Sequence, residues 1–237
     1  MIFFYVRHGD PIYKPDGLTP LGFEQADALK YRLCRNGLDK IYASSSNRAI
    51  LTATPTAELL KKEIEILDWC NESYAYNELG MYNEEKFYSW CYNHAHIKKL
   101  FRSQEIRNLG ENWYDHEAFK DTKAKEGTLR IRKETDAFLL SLGYRNNRQE
   151  GFYTEETPNN DRVALFAHEG FGIAFLSALL NIPYPLFSTH FTMCHTGVTV
   201  IEFKAEADGT VFPKVLTCSN EAHLYEKRVP LVYNIKI

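Results

Sequence analysis

Two histidines and two arginines stand just after short apolar runs of the sequence. The motif Arg7-His8-Gly9 follows the first such run, Arg48 comes shortly after the second, and His168-Glu169-Gly170 follows another one. Guanidinium groups bind oxyanions through paired N–H donors, and a neutral imidazole is a competent nucleophile toward phosphorus. These residue types suit a metal-independent phosphoryl site, where the charge on three equatorial oxygens must be neutralised.

The elements that would position these side chains alternate between strands and helices. Thr19-Pro20 predicts a helix start, with Thr19 as the N-cap and Pro20 as the first helical residue, and Gly37 predicts the end of that helix. Further helices are predicted at about 47–62, 126–142 and 170–180, and strands are predicted at 2–6, 40–43, 64–67, 163–167, 198–203 and 211–218.

This alternation predicts an α/β fold, a three-layer sandwich with a mainly parallel sheet and helices on both faces. Ligands of open α/β sheets bind beyond the carboxyl ends of the strands, near the switch point. We therefore expect the two histidines and the two arginines to meet in one pocket.

Residues 73–125 break the rhythm because they are long, lack a β-run and carry eleven aromatic side chains. We interpret them as a mostly helical insertion in a single domain that spans residues 1–237, with the aromatic rings packing onto the core rather than forming a substrate cage. Residues 144–161, rich in Asn and Glu, are predicted to be a surface loop.

Composition excludes several classes of protein. The 237 residues are 44% hydrophobic and 25% charged with a formal net charge of −3, which argues against disorder and against nucleic-acid binding. A long apolar run and a secretion signal are both missing, so the sequence predicts a cytoplasmic protein without a membrane partner. Five scattered cysteines, none in a Cys-x-x-Cys pair, indicate neither a disulfide framework nor a zinc site.

Taken together, the motifs resemble the histidine phosphatase superfamily, also called the phosphoglycerate mutase-like family. They occur in family order and span nearly the whole chain. The matching stretches are residues 4–9 (Phe-Tyr-Val-Arg-His-Gly), 18–26 (Leu-Thr-Pro-Leu-Gly-Phe-Glu-Gln-Ala), 44–49 (Ser-Ser-Ser-Asn-Arg-Ala) with Thr52-Ala53, 165–170 (Leu-Phe-Ala-His-Glu-Gly) and 220–224 (Asn-Glu-Ala-His-Leu).

The resemblance implies a role for each matching residue. His8 would be phosphorylated during catalysis, while Arg7, Arg48 and His168 would hold the phosphoryl oxygens, and the backbone N–H of Gly170 or its neighbour would be a further donor. The family adds an acidic proton donor shortly after the third strand. Glu72 is the choice by position, and Glu78 is the rival.

The chain also departs from the family pattern. Asp10 follows Arg-His-Gly where glutamate or threonine is more usual, and His168-Glu169-Gly170 replaces the commoner His-Gly. The asparagine that many members place in the phosphate pocket has no clear match at 12–15. These changes leave the phosphate-binding residues in place, but substrate identity stays open among sugar phosphates, nucleotides, phosphoproteins and cofactor phosphates.

Two further histidine motifs have less specific interpretations. His94 and His96 lie in a predicted helix, where residues two apart do not share a face, so a metal site is not expected there. Cys194-His195-Thr196-Gly197 precedes a predicted strand, and either places His195 or Thr196 at the pocket rim or forms a turn.

Hydrolysis of a small-molecule phosphomonoester through a phosphohistidine, without cofactor or metal, is the leading interpretation. A phosphoglycerate mutase-type phosphotransferase is the first alternative, and the lack of a recognisable basic cluster in the insertion argues against it. The second alternative is a non-catalytic phospho-ligand or protein-binding module, which the presence of both histidines and both arginines disfavours. The oligomeric state stays open, with a homodimer as one alternative.

Overall fold

Strands and helices alternate along the chain, and the computed structural model describes residues 1–233. The strands are β1 (Ile2–Arg7), β2 (Pro11–Tyr13), β3 (Asp16–Leu18), β4 (Lys40–Ser44), β5 (Ile64–Leu67), β6 (Gly80–Tyr82), β7 (Tyr88–Trp90), β8 (Tyr144–Asn147), β9 (Phe152–Glu155), β10 (Arg162–Ala167), β11 (Val198–Glu202), β12 (Thr210–Val211) and β13 (Lys214–Asn220). The α-helices are α1 (Pro20–Cys34), α2 (Asn47–Leu60), α3 (Glu72–Leu79), α4 (Ala95–Phe101), α5 (Gln104–Leu109), α6 (Ala124–Ser141), α7 (Glu169–Leu180), α8 (Tyr184–Ser188) and α9 (Ala222–Lys227). Short 3₁₀ helices span Asp68–Cys70, Cys91–Asn93, Gly110–Asp115 and Glu117–Phe119.

The central sheet has the strand order β13-β11-β1-β10-β4-β5. Strands β1, β10, β4 and β5 run parallel to one another, whereas β11 is antiparallel to both of its neighbours, β1 and β13. The predicted α/β class with a mainly parallel sheet is confirmed. Because β1, β4 and β10 point the same way, their carboxyl ends lie at one edge of the sheet.

By its internal contacts the chain divides into two compact units. The first unit comprises Met1–Asn71, Pro158–Glu169 and the chain from Met193 onward, and the second comprises Glu72–Thr157 and Gly170–Thr192. The first unit therefore holds the whole central sheet, and the second holds the segment 73–125 that the sequence predicts to be an insertion.

The core of the first unit lies between the sheet and the helices α1 and α2. Alternate residues of the central strands supply one side of it, as the period of two requires, and apolar residues of both helices supply the other. The strand residues of the opposite parity, such as Phe3, Tyr5 and Leu165, are also fully buried, as expected of parallel strands covered on both faces. The core residues are Phe4, Val6, Leu29, Leu33, Leu38, Ile41, Ala43, Ala53, Ala57, Ala164, Phe166 and Val198.

Helix α1 begins as the sequence predicts and brings its first turn against the loop after β1. The Thr19 hydroxyl caps the helix by accepting from the N–H of Gly22. A Cβ at Gly22 would lie 2.3 Å from the carbonyl oxygen of Asp10, and one at Gly9 would lie 2.7 Å from the carbonyl oxygen of Gly22. The two glycines thus permit an approach that holds the residues after β1 in place.

In the second unit, buried aromatic rings form a core of edge-to-face and stacked pairs. Trp113 is fully buried, and its ring lies 5.3 Å from Phe101, 4.8 Å from Phe119 and 5.3 Å from Tyr184. These rings therefore pack against one another inside the second unit. Tyr82, by contrast, is 66% exposed.

Residues 73–125 are mostly helical, as predicted, but they also contain two short strands. Strands β6 and β7 form an antiparallel hairpin, with Tyr82 opposite Tyr88 and their rings 4.9 Å apart. The Asn83 side chain accepts from the N–H of Phe87 and closes the turn. Each strand has only three residues, too few to show a periodic pattern in the sequence. The hairpin is stabilised by the turn side chains and by the pair of tyrosines.

The surface loop predicted at 144–161 is also a hairpin, formed by β8 and β9. Tyr144 and Tyr153 are fully buried. The Asn146 side chain, whose polarity suggested a loop, donates to Asp136 of α6 and to the Tyr153 hydroxyl, each at 3.0 Å. Polar residues satisfied inside the fold therefore gave a false signal of exposure.

The strand predicted at 211–218 begins later, at Lys214, and β12 is a separate short element. Pro213 lies between the two and has no N–H to donate to a ladder. Within residues 1–233, none of the helices is long and apolar enough to cross a membrane.

Candidate active site

His8 lies directly beyond the end of β1 and is 1% exposed. Its Nδ1 is 2.7 Å from the carbonyl oxygen of Gly9. A carbonyl only accepts hydrogen bonds, so Nδ1 carries the hydrogen and Nε2 keeps the lone pair. The N–H of Gly9 in turn donates to Thr52 Oγ1 of α2 at 2.9 Å, which fixes the backbone that orients the ring.

His168 lies directly beyond the end of β10, and its ring centroid is 5.3 Å from that of His8 with the planes at 60°. Its Nε2 is 2.8 Å from the Ser44 hydroxyl at the end of β4. The Tyr5 hydroxyl donates to its carbonyl oxygen at 2.6 Å. Neighbouring strands thus fix both the ring and the backbone of this residue.

Arg7, the last residue of β1, forms a buried ion pair with Glu169, at 3.0 Å between Nη1 and Oε2. The same Nη1 donates to the carbonyl oxygen of Met193. Glu169 Oε1 accepts from the N–H of Met193 at 3.1 Å, so the carboxylate connects the arginine to the loop before β11. The glutamate that departs from the common His-Gly motif is therefore the partner of an arginine of the site.

Arg48 lies in the first turn of α2 and donates to Asp16 at 2.7 Å. Asp16 also accepts from the N–H of Asn47 at 2.7 Å, so its carboxylate satisfies a backbone donor at the helix N-terminus. Sequence reasoning missed Asp16. Its motif gives no sign of this role, because the contact depends on the hairpin that β2 and β3 form.

The structure therefore brings together Arg7, His8, Arg48 and His168 in the first unit. Burial lowers the pKa of His8 well below its usual value, and the charges of His168, Arg7 and Arg48 lower it further. Burial, Arg48 and Arg7 do the same to His168. Both imidazoles are neutral near pH 7, which leaves the Nε2 lone pair of His8 available for attack.

The loop before β11 adds His195 to this edge of the sheet. The ring of His195 is 4% exposed and its centroid is 5.6 Å from that of His8. The Thr196 hydroxyl lies elsewhere, at 3.0 Å from His223 Nε2. Of the two rim alternatives in this motif, His195 is the one whose ring lies beside His8.

In the second unit, Glu72 and Gly170 lie together. Glu72 is the first residue of α3, and its Oε1 accepts from the N–H of Gly170 in α7 at 3.0 Å. The indole of Trp90 packs against Gly170 so closely that a Cβ there would lie 2.0 Å from the ring. Glycine at 170 is thus required by the indole, and its N–H holds the carboxylate of Glu72.

Glu78, the rival proton donor, is held differently within the second unit. Both of its carboxylate oxygens accept from Arg130 of α6 at 2.7 Å. A Cβ on Gly127 of α6 would lie 2.4 Å from the Glu78 Cβ. This bidentate pair joins α3 to α6, which gives Glu78 a structural role.

The prediction that His94 and His96 both lie in one helix is wrong. His94 precedes α4 rather than lying inside it, and the two rings stack at 6.0 Å. The spacing rule for helix faces therefore does not apply. His94 Nε2 lies 2.9 Å from the carbonyl oxygen of Met81, to which it donates, so that nitrogen has no lone pair for a metal.

Acidification is expected to destabilise the protein below about pH 6.5, because burial lowers the pKa of His195 and of His223 to about 3. In the unfolded chain both return to about 6.5, so the unfolded state binds more protons between these values and stability falls as the pH falls. Each histidine contributes about 1.4 kcal/mol per pH unit in this range, and His8 and His168 act in the same direction.

Urea unfolding between about pH 7 and pH 5 measures this slope. His223→Asn removes one buried imidazole outside the site. It should reduce the slope of the free energy of unfolding against pH by about 1.4 kcal/mol per pH unit, the contribution of one proton. A free energy of unfolding that stays constant over this range would contradict the burial of neutral histidines.

Comparison with known proteins gives matches in sequence and in structure. Residues 3–118 match the model of the histidine phosphatase superfamily (branch 1). A protein of Hydrogenobacter thermophilus, provisionally named phosphoserine phosphatase 2, is 24% identical over 219 residues, which cover 88% of this chain and 93% of that protein.

Among solved structures, the phosphoserine phosphatase of Entamoeba histolytica in complex with 3-phosphoglyceric acid superposes with a TM-score of 0.59 at 18% identity, covering 94% of this chain and 98% of that one. The mycobacterial glucosyl-3-phosphoglycerate phosphatase with inorganic phosphate gives the same values: a TM-score of 0.59, 18% identity, and 94% and 98% coverage. At this identity the likeness shows a shared fold.

Proposed function

We propose that this chain is a histidine phosphatase, which its match to the superfamily over residues 3–118 supports, and that it hydrolyses phosphomonoesters through a phosphohistidine at His8. One observation carries the proposal. The neutral ring of His8 is oriented by the Gly9 carbonyl so that Nε2 keeps its lone pair, beside His168 and two arginines. A nucleophile surrounded by donors for an oxyanion is the arrangement that phosphoryl transfer needs.

In the first step, Nε2 of His8 attacks phosphorus and the bond from phosphorus to the ester oxygen breaks. Arg7, Arg48 and His168 neutralise the phosphoryl oxygens during the transfer. Each arginine already contacts a carboxylate through Nη1, but a guanidinium has five N–H donors, so one carboxylate does not exhaust it. The leaving oxygen receives a proton from Glu72.

In the second step, a water molecule gives its proton to the Glu72 carboxylate and attacks phosphorus. The bond between Nε2 and phosphorus breaks, and inorganic phosphate leaves. Gly170 supports the choice of Glu72, because it follows His168 by two residues along the chain and its N–H holds the Glu72 carboxylate. We propose that Gly170 serves catalysis through this bond, with direct donation to phosphate as the alternative use of the same N–H.

We propose a small organic phosphomonoester as the substrate. The names of the relatives specify phosphoserine and glucosyl-3-phosphoglycerate, both of which are small phosphomonoesters. A panel of such esters, followed for phosphate release and for isomerised product, tests the function. Phosphate release without isomerisation is the expected result. Isomerised product would instead indicate a mutase, and no reaction with any ester would favour a binding module.

Activity is expected to survive EDTA, since two guanidinium groups supply the charge neutralisation that Mg²⁺ provides in many phosphoryl-transfer sites. The measurement is the rate of phosphate release before and after exhaustive chelation, and then with single divalent ions added back. Loss of turnover on chelation that one ion restores would overturn this part of the proposal.

A further inference from the structure

His195 is a buried imidazole that the proposed reaction does not use. Its ring centroid lies 5.6 Å from that of His8, with the planes tilted by 31°, and the side chain is 4% exposed. The backbone N–H of His195 donates to the carbonyl oxygen of Val232 at 3.0 Å, which fixes the residue in the loop before β11. The ring is therefore a fixed part of the edge at which His8 lies.

Neither ring nitrogen of His195 has a hydrogen-bond partner among residues 1–233. Nδ1 lies 3.5 Å from Asp10 Oδ1, which is longer than a good hydrogen bond. Buried polar groups are usually hydrogen-bonded, and exceptions call for a missing water or ion. An oxyanion at His8 would supply an acceptor for Nε2, and a small shift of the ring would bring Nδ1 to Asp10.

His223 shows that burial alone does not leave an imidazole of this protein unsatisfied. It is 3% exposed, much like His195. Its Nε2 lies 3.0 Å from the Thr196 hydroxyl, and its Nδ1 lies 3.4 Å from Arg32 Nη1. The two histidines have similar burial, and they differ in that His195 lies beside His8.

Charged and titratable groups face His195 from the elements packed against it: Arg7 and His8 from the end of β1, and Asp10 from the loop that follows. Burial and the charge of Arg7 lower the pKa of His195 to about 3. About one ring in 10⁴ is then protonated at pH 7. A phosphoryl dianion beside the ring acts in the opposite direction, since a nearby opposite charge favours the charged form.

Asp10 is well placed to be the counter-ion. Its second carboxylate oxygen accepts from the Thr19 hydroxyl at 2.7 Å, and its N–H donates to Gln25 of α1 at 2.8 Å. The remaining oxygen, Oδ1, is the one nearest His195. The carboxylate is thus held with one oxygen toward the imidazole.

We propose that His195 is a third imidazole of the phosphoryl site, which takes up one proton from solvent when an oxyanion binds and donates from Nε2 to it. Acceptors then stand at both nitrogens, the oxyanion at Nε2 and Asp10 at Nδ1, so both nitrogens must carry hydrogen. The bound dianion gains a positive partner in a site where Arg7 and Arg48 are each paired with a carboxylate. This inference rests on the proposed function, because it takes the edge near His8 to be where the phosphoryl group binds.

Histidine NMR of the ¹⁵N-labelled protein tests the proposal directly. Tungstate is the probe, because it is a tetrahedral dianion that does not itself take up protons near neutral pH. We expect the His195 ring to change from neutral to imidazolium on saturation with tungstate, while the His223 ring stays neutral as an internal control. A His195 ring that stays neutral with tungstate bound would overturn the inference, and so would failure of tungstate to bind.

Calorimetry in buffers of different ionisation enthalpy gives the second readout. The parent protein should take up about one proton per tungstate at pH 7. His195→Asn keeps a donor but cannot be protonated near neutral pH, so it should abolish this uptake and weaken binding on the order of 10–100-fold, the effect of losing a hydrogen bond between charged groups. The matched variant His223→Asn should keep both the uptake and the affinity.

The outcomes separate this inference from the proposed function. A phosphoenzyme at His8 together with a neutral His195 in the tungstate complex would remove the inference and leave the function intact. Proton uptake by His195 in a protein that forms no phosphoenzyme would support the inference and contradict the proposed phosphohistidine mechanism.

Discussion

Replacing His8 by alanine is expected to lower kcat on the order of 10⁴–10⁶-fold, the range seen when a group that acts in covalent catalysis is removed. His8 is the only side chain proposed to attack the phosphorus of the ester, and alanine offers no nucleophile in its place. The measurement is steady-state turnover of the best ester from the panel, with circular dichroism and urea unfolding to show that the variant is folded.

His94→Ala is the matched control, because His94 is also a buried histidine whose ring nitrogen lies near a carbonyl oxygen. It should lose stability by about 1–3 kcal/mol, as expected when a buried hydrogen bond is removed, and keep kcat within a few-fold. A folded His8→Ala protein that retains appreciable turnover would refute the assignment of the nucleophile.

Glu72→Gln is expected to slow the hydrolysis of an alkyl phosphate on the order of 10²–10⁴-fold, the usual contribution of general acid catalysis. Glutamine keeps an oxygen to accept from the N–H of Gly170, but has no proton to give to the leaving oxygen. An alkoxide needs that proton in the transition state, whereas a nitrophenolate scarcely does. The rate with p-nitrophenyl phosphate should therefore fall much less, provided that formation of the phosphohistidine limits turnover.

Glu78→Gln separates this effect from a general loss of structure. Glutamine at 78 loses the charge that pairs with Arg130, so the variant should be less stable. Its rates with the two esters should keep their ratio. If the dependence on the leaving group follows Glu78 rather than Glu72, the acid is Glu78 and the role given to its ion pair is wrong.

The parts of the fold that sequence patterns predict well are those with strong periodicity. Strand β10 is one example, because a strand buried on both faces needs an unbroken apolar run. Helix α1 is another, because the Thr19 side chain caps a free backbone N–H of the first turn and Pro20 has no N–H that needs a partner. The hairpin of β8 and β9 was missed since Asn146 is satisfied by Asp136, a residue ten positions away in sequence. Secondary-structure propensity depends on a residue and its neighbours in sequence. It therefore does not show the hydrogen-bond partners that a buried polar side chain finds only in the folded protein.

Some residues of the candidate site could likewise be predicted from the sequence, and others could not. Arg7 ends β1, and His8 and His168 directly follow β1 and β10, so the topology of a parallel sheet is enough to bring them to one edge. The carboxylates that pair with the arginines could not be predicted, because Asp16 reaches Arg48 only through a hairpin and Glu169 reaches Arg7 only in the folded sheet. Sequence thus predicted the residues that we propose bind the phosphoryl group and missed the carboxylates that pair with the two arginines.

Trapping of the phosphoenzyme tests the central claim most directly. The protein is mixed with an ester labelled in its phosphoryl group, quenched within the first turnover, and digested for mapping by mass spectrometry. The label is expected on Nε2 of His8, stable to alkali and labile to acid, and it should be absent from His8→Ala. Phosphate release by a folded, active protein with no labelled enzyme at any time, or with the label on another residue, would contradict it.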